Sequence, residues 1–349
     1  MSPKQQEASL SAEGELSPYE RGVGVERVFT FANDSTNHTS PENVIALKFG
    51  GSSLSGAEKM LHSAGLVRDA ALNSSVCVVV SAMKGVTDRL LTVAQLLAQK
   101  ETQKARREAE NVVALHLATL QELKLDEDDH ERVEEDLELL SRDLLHETPV
   151  RGCVEMNDEL FDRFASFGER FSARLFAAAL GRIGVLAVPV ASSDFVLTCD
   201  NFCDAKPHLQ HTRCRGREVL LPLLEAGIVP VVTGFIGATP DGRITTMGRN
   251  SSDFSGALIA HVVDAEELVI WTDVDGIYTA NPHESAEAKL LHELSYDEAH
   301  ALAASGAKVL HPNVLPLAAQ TEMTVWVRNT FKPYARGTRI GSQLNGGVA

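Results

Sequence analysis

The sequence predicts an α/β fold: a three-layer αβα sandwich around a mainly parallel sheet. Three observations carry this. Short apolar runs alternate with longer segments of helical composition. The runs are rich in β-branched residues, as strands covered on both faces are. Polar and glycine-rich motifs follow these runs, at the strand ends where such sheets bind ligands.

The elements follow in order. Residues 1–42 are polar and predict a disordered tail, with one short apolar element, "RVFTF". "NVIALKF" (43–49) predicts a buried strand, residues 57–72 a helix, and "SSVCVVVSA" (74–82) a second strand. Residues 87–146 contain no Pro or Gly and are rich in Ala, Leu, Glu, Lys and Arg, which predicts a helical excursion from the sheet. Its charge run "EDDHERVEEDLELL" reads as a solvated helix face. A helix over 159–180 precedes the strand "GVLAVPVAS" (184–192). A helix over 216–225 precedes "GIVPVVTGFIG" (227–237), a strand ending in glycine. A helix over 252–263 leads to "ELVIWTDV" (267–274). A helix over 295–305 and a last strand, "MTVWVRN" (323–329), complete the alternation.

Composition narrows the function. A formal net charge of −16 argues against nucleic acid and anionic membrane as partners. No apolar run approaches the ~18 residues that a membrane helix needs. The glutamate-rich start has neither the basic region nor the apolar core of a secretory signal. Five cysteines in 349 residues suggest reduced thiols, and a cytoplasmic location is expected.

Six motifs carry candidate chemistry. In "KFGGSS", Gly50 and Gly51 would let backbone N–H groups approach a phosphate, and Lys48 would add charge. The same residues also suit an ordinary tight turn. In "VVVSAMKGVTDRL", Ser81 and Thr87 could bind a carboxylate or phosphate, or cap a helix. In "FASFGERFSARLF", Glu169 lies in an apolar helical stretch, where a carboxylate needs a partner. A substrate ammonium would serve, as would Arg170 or Arg174. "TTMGRNSSD" supplies Arg249, whose guanidinium fork fits a carboxylate, then Ser251 or Ser252 to cap a helix, then Asp253. "VIWTDVDGIYTANP" places Thr272, Asp273 and Tyr278 at a strand end; its D-x-D-G lacks the glutamate a calcium loop requires. In "SGAKVLHP", Lys308 follows a small-residue turn. Apart from these, Cys199, Cys203, Cys214, His208 and His211 have zinc-like composition, but their spacing fits no standard structural zinc site, and a polar loop with free thiols is the simpler expectation.

Together, in this order, and with "LSYDEA" and "VRNTFKPYARGTRIG", the six motifs resemble the catalytic domain of the aspartate kinases, in the amino-acid kinase superfamily. The resemblance spans residues 44–341. It implies a catalytic domain over 43–341, with an amino-acid lobe (43–232) and an ATP lobe (233–341). It implies ATP with Mg2+ as cofactor, L-aspartate as phosphoryl acceptor, and a homodimer. By resemblance, Lys48, Asp253 and Lys308 are catalytic. Ser81, Thr87, Glu169, Arg249 and Ser252 contact the amino acid. Lys48, Gly50, Gly51, Thr272, Asp273, Tyr278 and Lys308 contact the nucleotide. No metal ligand is assigned. The product, 4-phospho-L-aspartate, would feed lysine, threonine, methionine or specialised pathways.

The sequence departs from the family pattern in several places. "NPH" puts His283 where arginine is usual, "HPN" puts Asn313 where arginine is usual, and "RNSSD" lacks the usual glycine before the serine. Residues 342–349 are too short for the ACT regulatory domains of typical relatives, so insensitivity to lysine and threonine is expected. The alternatives are another amino-acid kinase with a different carboxylate or carbamate acceptor, and a catalytically weak nucleotide-binding regulatory subunit.

Overall fold

Val44–Phe49 (β1), read above as a buried strand, lies near the middle of an eight-stranded sheet. In chain order the elements that follow are α1 (Ala57–Ala71), β2 (Ser75–Val80), α2 (Val86–Ala98), α3 (Thr102–Leu123), α4 (Glu127–His146), α5 (Asp158–Arg182) and β3 (Ala187–Val190). Next come α6 (Leu209–Glu225), β4 (Val229–Thr233), β5 (Ile236–Ala238), β6 (Ile244–Thr246), α7 (Ser252–Val262) and β7 (Glu267–Thr272). The last are β8 (Ile277–Tyr278), β9 (Leu290–Leu291), β10 (Glu293–Ser295), α8 (Tyr296–Ala304), α9 (Val314–Thr321), β11 (Thr324–Asn329) and β12 (Thr338–Gly341). This computed structural model describes residues 43–148, 157–249, 251–280, 285, 287–304 and 310–342, all within one compact unit, residues 36–349. The predicted tail with "RVFTF", and with it His283 and Lys308, lie outside the described residues.

The strand order is β10-β12-β11-β7-β1-β2-β4-β3. Neighbours from β11 to β3 are parallel, and β12 runs antiparallel to β11. This is the mixed α/β fold with a mainly parallel sheet that alternation predicted. Successive residues of β1 face opposite sides, as the pleat dictates. Phe49 packs on Phe176 of α5, with ring centroids 5.3 Å apart. Lys48 instead lies along α7, beside Gly256. Helices α1 and α5 therefore cover one face, with the excursion α2–α4 packed outside them, and α6 and α7 cover the other. The core on the α5 side is built from Phe49, Phe164, Phe171 and Phe176, all fully buried.

Three predicted elements differ. The helix placed at 216–225 begins at Leu209, so Cys214 and His211 are helical rather than in a loop. Gly216, the first residue of the predicted helix, lies inside α6, and it is glycine there because a side chain would collide with Phe195 and Val262. The run "GIVPVVTGFIG" is two strands. β4 stays in the main sheet, while β5, beyond Phe235 at φ +68°, leaves it to pair with β6 and, through Ala238, to bridge Leu197. "MTVWVRN" is not the last strand, since β12 follows. Its four residues carry too weak a pattern to be seen without β10 and β11 on either side. The sheet ends in two short strands, β3 with Pro189 and the three-residue β10. Among the described residues no helix is long and apolar enough to cross a membrane.

Candidate active site

At the carboxyl ends of β1 and β2 the backbone packs closely on itself. Gly50 N–H donates to the Trp271 carbonyl of β7 (3.1 Å), and Lys84 N–H donates to the Gly51 carbonyl (3.1 Å). A Cβ on Gly51 would lie 2.5 Å from the Ala82 carbonyl oxygen, so only glycine fits. The glycine that suggested phosphate binding is thus also required by packing. Lys48 is 5% exposed, and its Nζ donates to Asp253 Oδ1 at 2.6 Å, one helical turn before Gly256.

Glu169 reaches this corner from α5, which starts cleanly because the Asn157 side chain caps it. It is 3% exposed and pairs with neither Arg170 nor Arg174. Oε1 accepts the Ala82 N–H at 3.0 Å, and Oε2 has no hydrogen-bond partner among the described residues. Burial pushes the carboxyl up to about 8, against the pull of the Ala82 N–H and, more weakly, of Lys48.

One cleft of about 300 Å³ is lined by Lys48, Gly50, Gly51, Ser81, Thr87, Glu169, Arg249 and Ser252, bringing together every amino-acid-site residue read from sequence. Arg249 stands exposed at its mouth, where it is paired with Asp88. Exposed pairs contribute little, so this one holds Arg249 only weakly. The hydroxyls do not cap. The N-caps of α2 and α7 are Gly85 and Ser251, neither with a side-chain capping bond, and the buried Ser251 Oγ has no partner among the described residues.

Thr272 and Asp273 lie at the adjoining end of β7, beside Gly50, and Tyr278 forms part of the small β8–β9 sheet. They do not line the cleft with Lys48. A separate cleft of about 510 Å³, lined by His62, Phe331 and Tyr334, contains none of the predicted residues. Cys199 and Cys203 make local contacts, to Lys206 N–H and the Asp158 carbonyl, and the described residues hold no cluster of three or more metal-binding side chains. Sequence reasoning gave no role to Lys84, Asp88 or Phe235, and only a capping role to Ser251; all four also line the cleft. Phe235 carries the clearest local trace, an aromatic residue at positive φ, and that is visible only in three dimensions.

A match to the Amino acid kinase family spans residues 43–329, most of the chain. The chain belongs to the amino acid kinase family. Within it, this member is 32% identical over 297 residues to lysine-sensitive aspartokinase 3 of Escherichia coli, covering 85% of this chain and 64% of that one. It is 33% identical over 298 residues to chloroplastic aspartokinase 1 of Arabidopsis thaliana, covering 84% and 51%. Among solved structures it resembles E. coli aspartokinase III in complex with aspartate and ADP, with a TM-score of 0.75 and 31% identity, covering 87% of this chain and 66% of that one. The chain therefore spans half to two thirds of the length of these relatives.

Proposed function

We propose that this chain is an aspartate kinase catalytic domain that transfers the γ-phosphoryl group of ATP to the side-chain carboxylate of L-aspartate, giving 4-phospho-L-aspartate and ADP. The observation that carries it is the pairing, in one cleft, of a buried Glu169 with an empty oxygen and an arginine, Arg249, at the mouth. That pair suits a zwitterion: Glu169 takes the α-ammonium and Arg249 a carboxylate. Ser81, Thr87 and Ser252 supply hydroxyls to the same amino acid. The likeness to aspartokinases, one solved with aspartate and ADP, favours aspartate over other acceptors.

The chemistry asks little of the protein beyond position and charge. The acceptor carboxylate is ionised at neutral pH and needs no general base. Lys48, held by Asp253, meets the charge that develops on the transferred phosphoryl. Gly50 and Gly51 allow close backbone approach, and Thr272, Asp273, Tyr278 and Lys308 hold the nucleotide. Mg2+ would arrive with ATP. Asp253 and Asp273 suit one or two contacts to a phosphate-bound ion, and the described residues offer no cage for a resident one. The amino-acid lobe (43–232), the ATP lobe (233–341), the homodimer and the cytoplasmic location belong to the same reading.

Aspartate-dependent ADP release, with hydroxylamine trapping of the acyl phosphate, tests it. Hydroxamate formation with aspartate is the expected result. ADP release dependent on another carboxylate, or none, overturns it.

A further inference from the structure

Asp162 lies on α5 seven residues before Glu169, two turns away on the same helix face. It is 1% exposed, and its carboxylate accepts three hydrogen bonds. Oδ2 takes the Cys203 N–H (2.9 Å) and the Thr246 N–H (2.8 Å), while Oδ1 takes the Thr246 hydroxyl (2.5 Å). Thr246 ends β6, three residues before Arg249. Its carbonyl accepts the Ala205 N–H at 2.9 Å, so segment 199–206 clamps the strand a second time.

The β5–β6 hairpin pairs with no strand of the main sheet; apart from Asp162 it meets α5 through a partly exposed Arg243–Glu159 pair (3.4 Å) and apolar packing of Ile236 on Ala165, neither of which has the directionality of a buried, three-bonded carboxylate. A buried carboxylate is costly unless donors surround it, and here every donor comes from the hairpin or from the segment bracing it. We infer that Asp162 is a positioning residue that locks the hairpin, and with it Arg249, to the helix carrying Glu169, so setting the distance between the two groups that grip the acceptor amino acid. This rests on the amino-acid site proposed above. It also gives a role to "CDNFCDAKPHLQHTRC", whose first half is the brace that Asp162 and Thr246 hold.

Asp162→Asn and Thr246→Val in the full chain test the inference by two readouts. The first, hydrogen exchange, needs no substrate. Amides of residues 244–249 exchange about tenfold faster in Asp162→Asn, the value of one lost hydrogen bond to a charged group, while those of α5 near Glu169 do not change. The second is kinetic: the aspartate KM rises about tenfold and the ATP KM stays within about twofold. Thr246→Val, which removes a single donor, moves both readouts the same way by about threefold, and decides the matter if Asp162→Asn does not fold. Unchanged exchange at 244–249 in a folded variant, or aspartate and ATP KM rising together, overturns the inference. A wild-type protein that does not phosphorylate aspartate overturns the functional reading instead, and the exchange readout still decides the role of Asp162.

Discussion

Lys48 and Glu169 are both buried and ionisable, yet they ask opposite things of the solvent. Lys48 has a fixed partner in Asp253, so its charge is held in place before any substrate binds. Lys48→Ala should therefore lower kcat by about 10²-fold or more with little change in either KM, because the lost interaction is made mainly in the transition state. Steady-state kinetics of a variant that unfolds like wild type is the check, and near-normal kcat rejects the assignment. Glu169 has no partner for one oxygen, and burial lifts its carboxyl to about 8. Binding an ammonium requires the ionised form, so below about pH 8 aspartate binding must release a proton. The aspartate KM should rise by up to about tenfold per pH unit as pH falls from 8 to 6, while the ATP KM stays flat. A flat aspartate profile removes Glu169 from the ammonium site. Without ligand the sign for stability is the reverse. The folded-state value lies above the unfolded one, so Glu169's contribution is full below about 4.5 and is lost as pH rises through about 8. Glu169→Gln should then flatten the fall in Tm between about pH 4.5 and 8. These residues stood out in the sequence because a lysine or glutamate beside an apolar run needs a partner, but a tight turn or an arginine pair would also explain them, and only their place among the six motifs gave them a role. Asp88 and Asp162 were not, because their partners lie 161 and 84 residues away.

The elements meet at Ala82, the second residue after β2. Its N–H holds Glu169, and two glycines press on it: Gly51 against its carbonyl and Gly168 of α5 against its side chain. A Cβ on Gly168 would lie 2.6 Å from that of Ala82. Gly168→Ala should push α5 off the end of β2, costing about 1–3 kcal/mol as overpacking does, and raising the aspartate KM by misplacing Glu169. Urea unfolding and aspartate kinetics check this together; stability and KM both equal to wild type would show that α5 has room. The strand–helix alternation was legible because buried parallel strands rich in Val and Ile, and long helical runs of Ala, Leu and charged residues, have strong composition. The β5–β6 hairpin was hidden because its first strand continues an apolar run that starts in the main sheet. Only the turn at Phe235 separates them.

For the whole molecule, the predicted layers and parallel order hold, and the last strand does not. Order in a sheet is written in long-range pairing, which a four-residue strand such as β12 cannot announce. The helical excursion adds a global acid sensitivity. His116 of α3 is fully buried against Phe171 (4.4 Å between ring centroids), and burial holds it down to about 4. Because its folded value lies below the unfolded one, its contribution to stability is full above about 6.5 and is lost as pH falls toward 4. His116→Leu should reduce the loss of stability between pH 6.5 and 4, by up to about 3 kcal/mol. Denaturant midpoints across that range are the measurement, and parallel curves for variant and wild type would exclude His116 as the acid-sensitive group. The two ends of the sheet carry a different consequence. β3 spans four residues and includes Pro189, which has no N–H to offer, and β10 spans three. Short strands and a proline make poor templates for a foreign strand, so among the described residues the ends of the sheet resist amyloid-like extension and donor-strand exchange. Association between copies of this chain is then expected to use side chains on helices and loops, where a mutation can tune or abolish the contact without threatening the sheet.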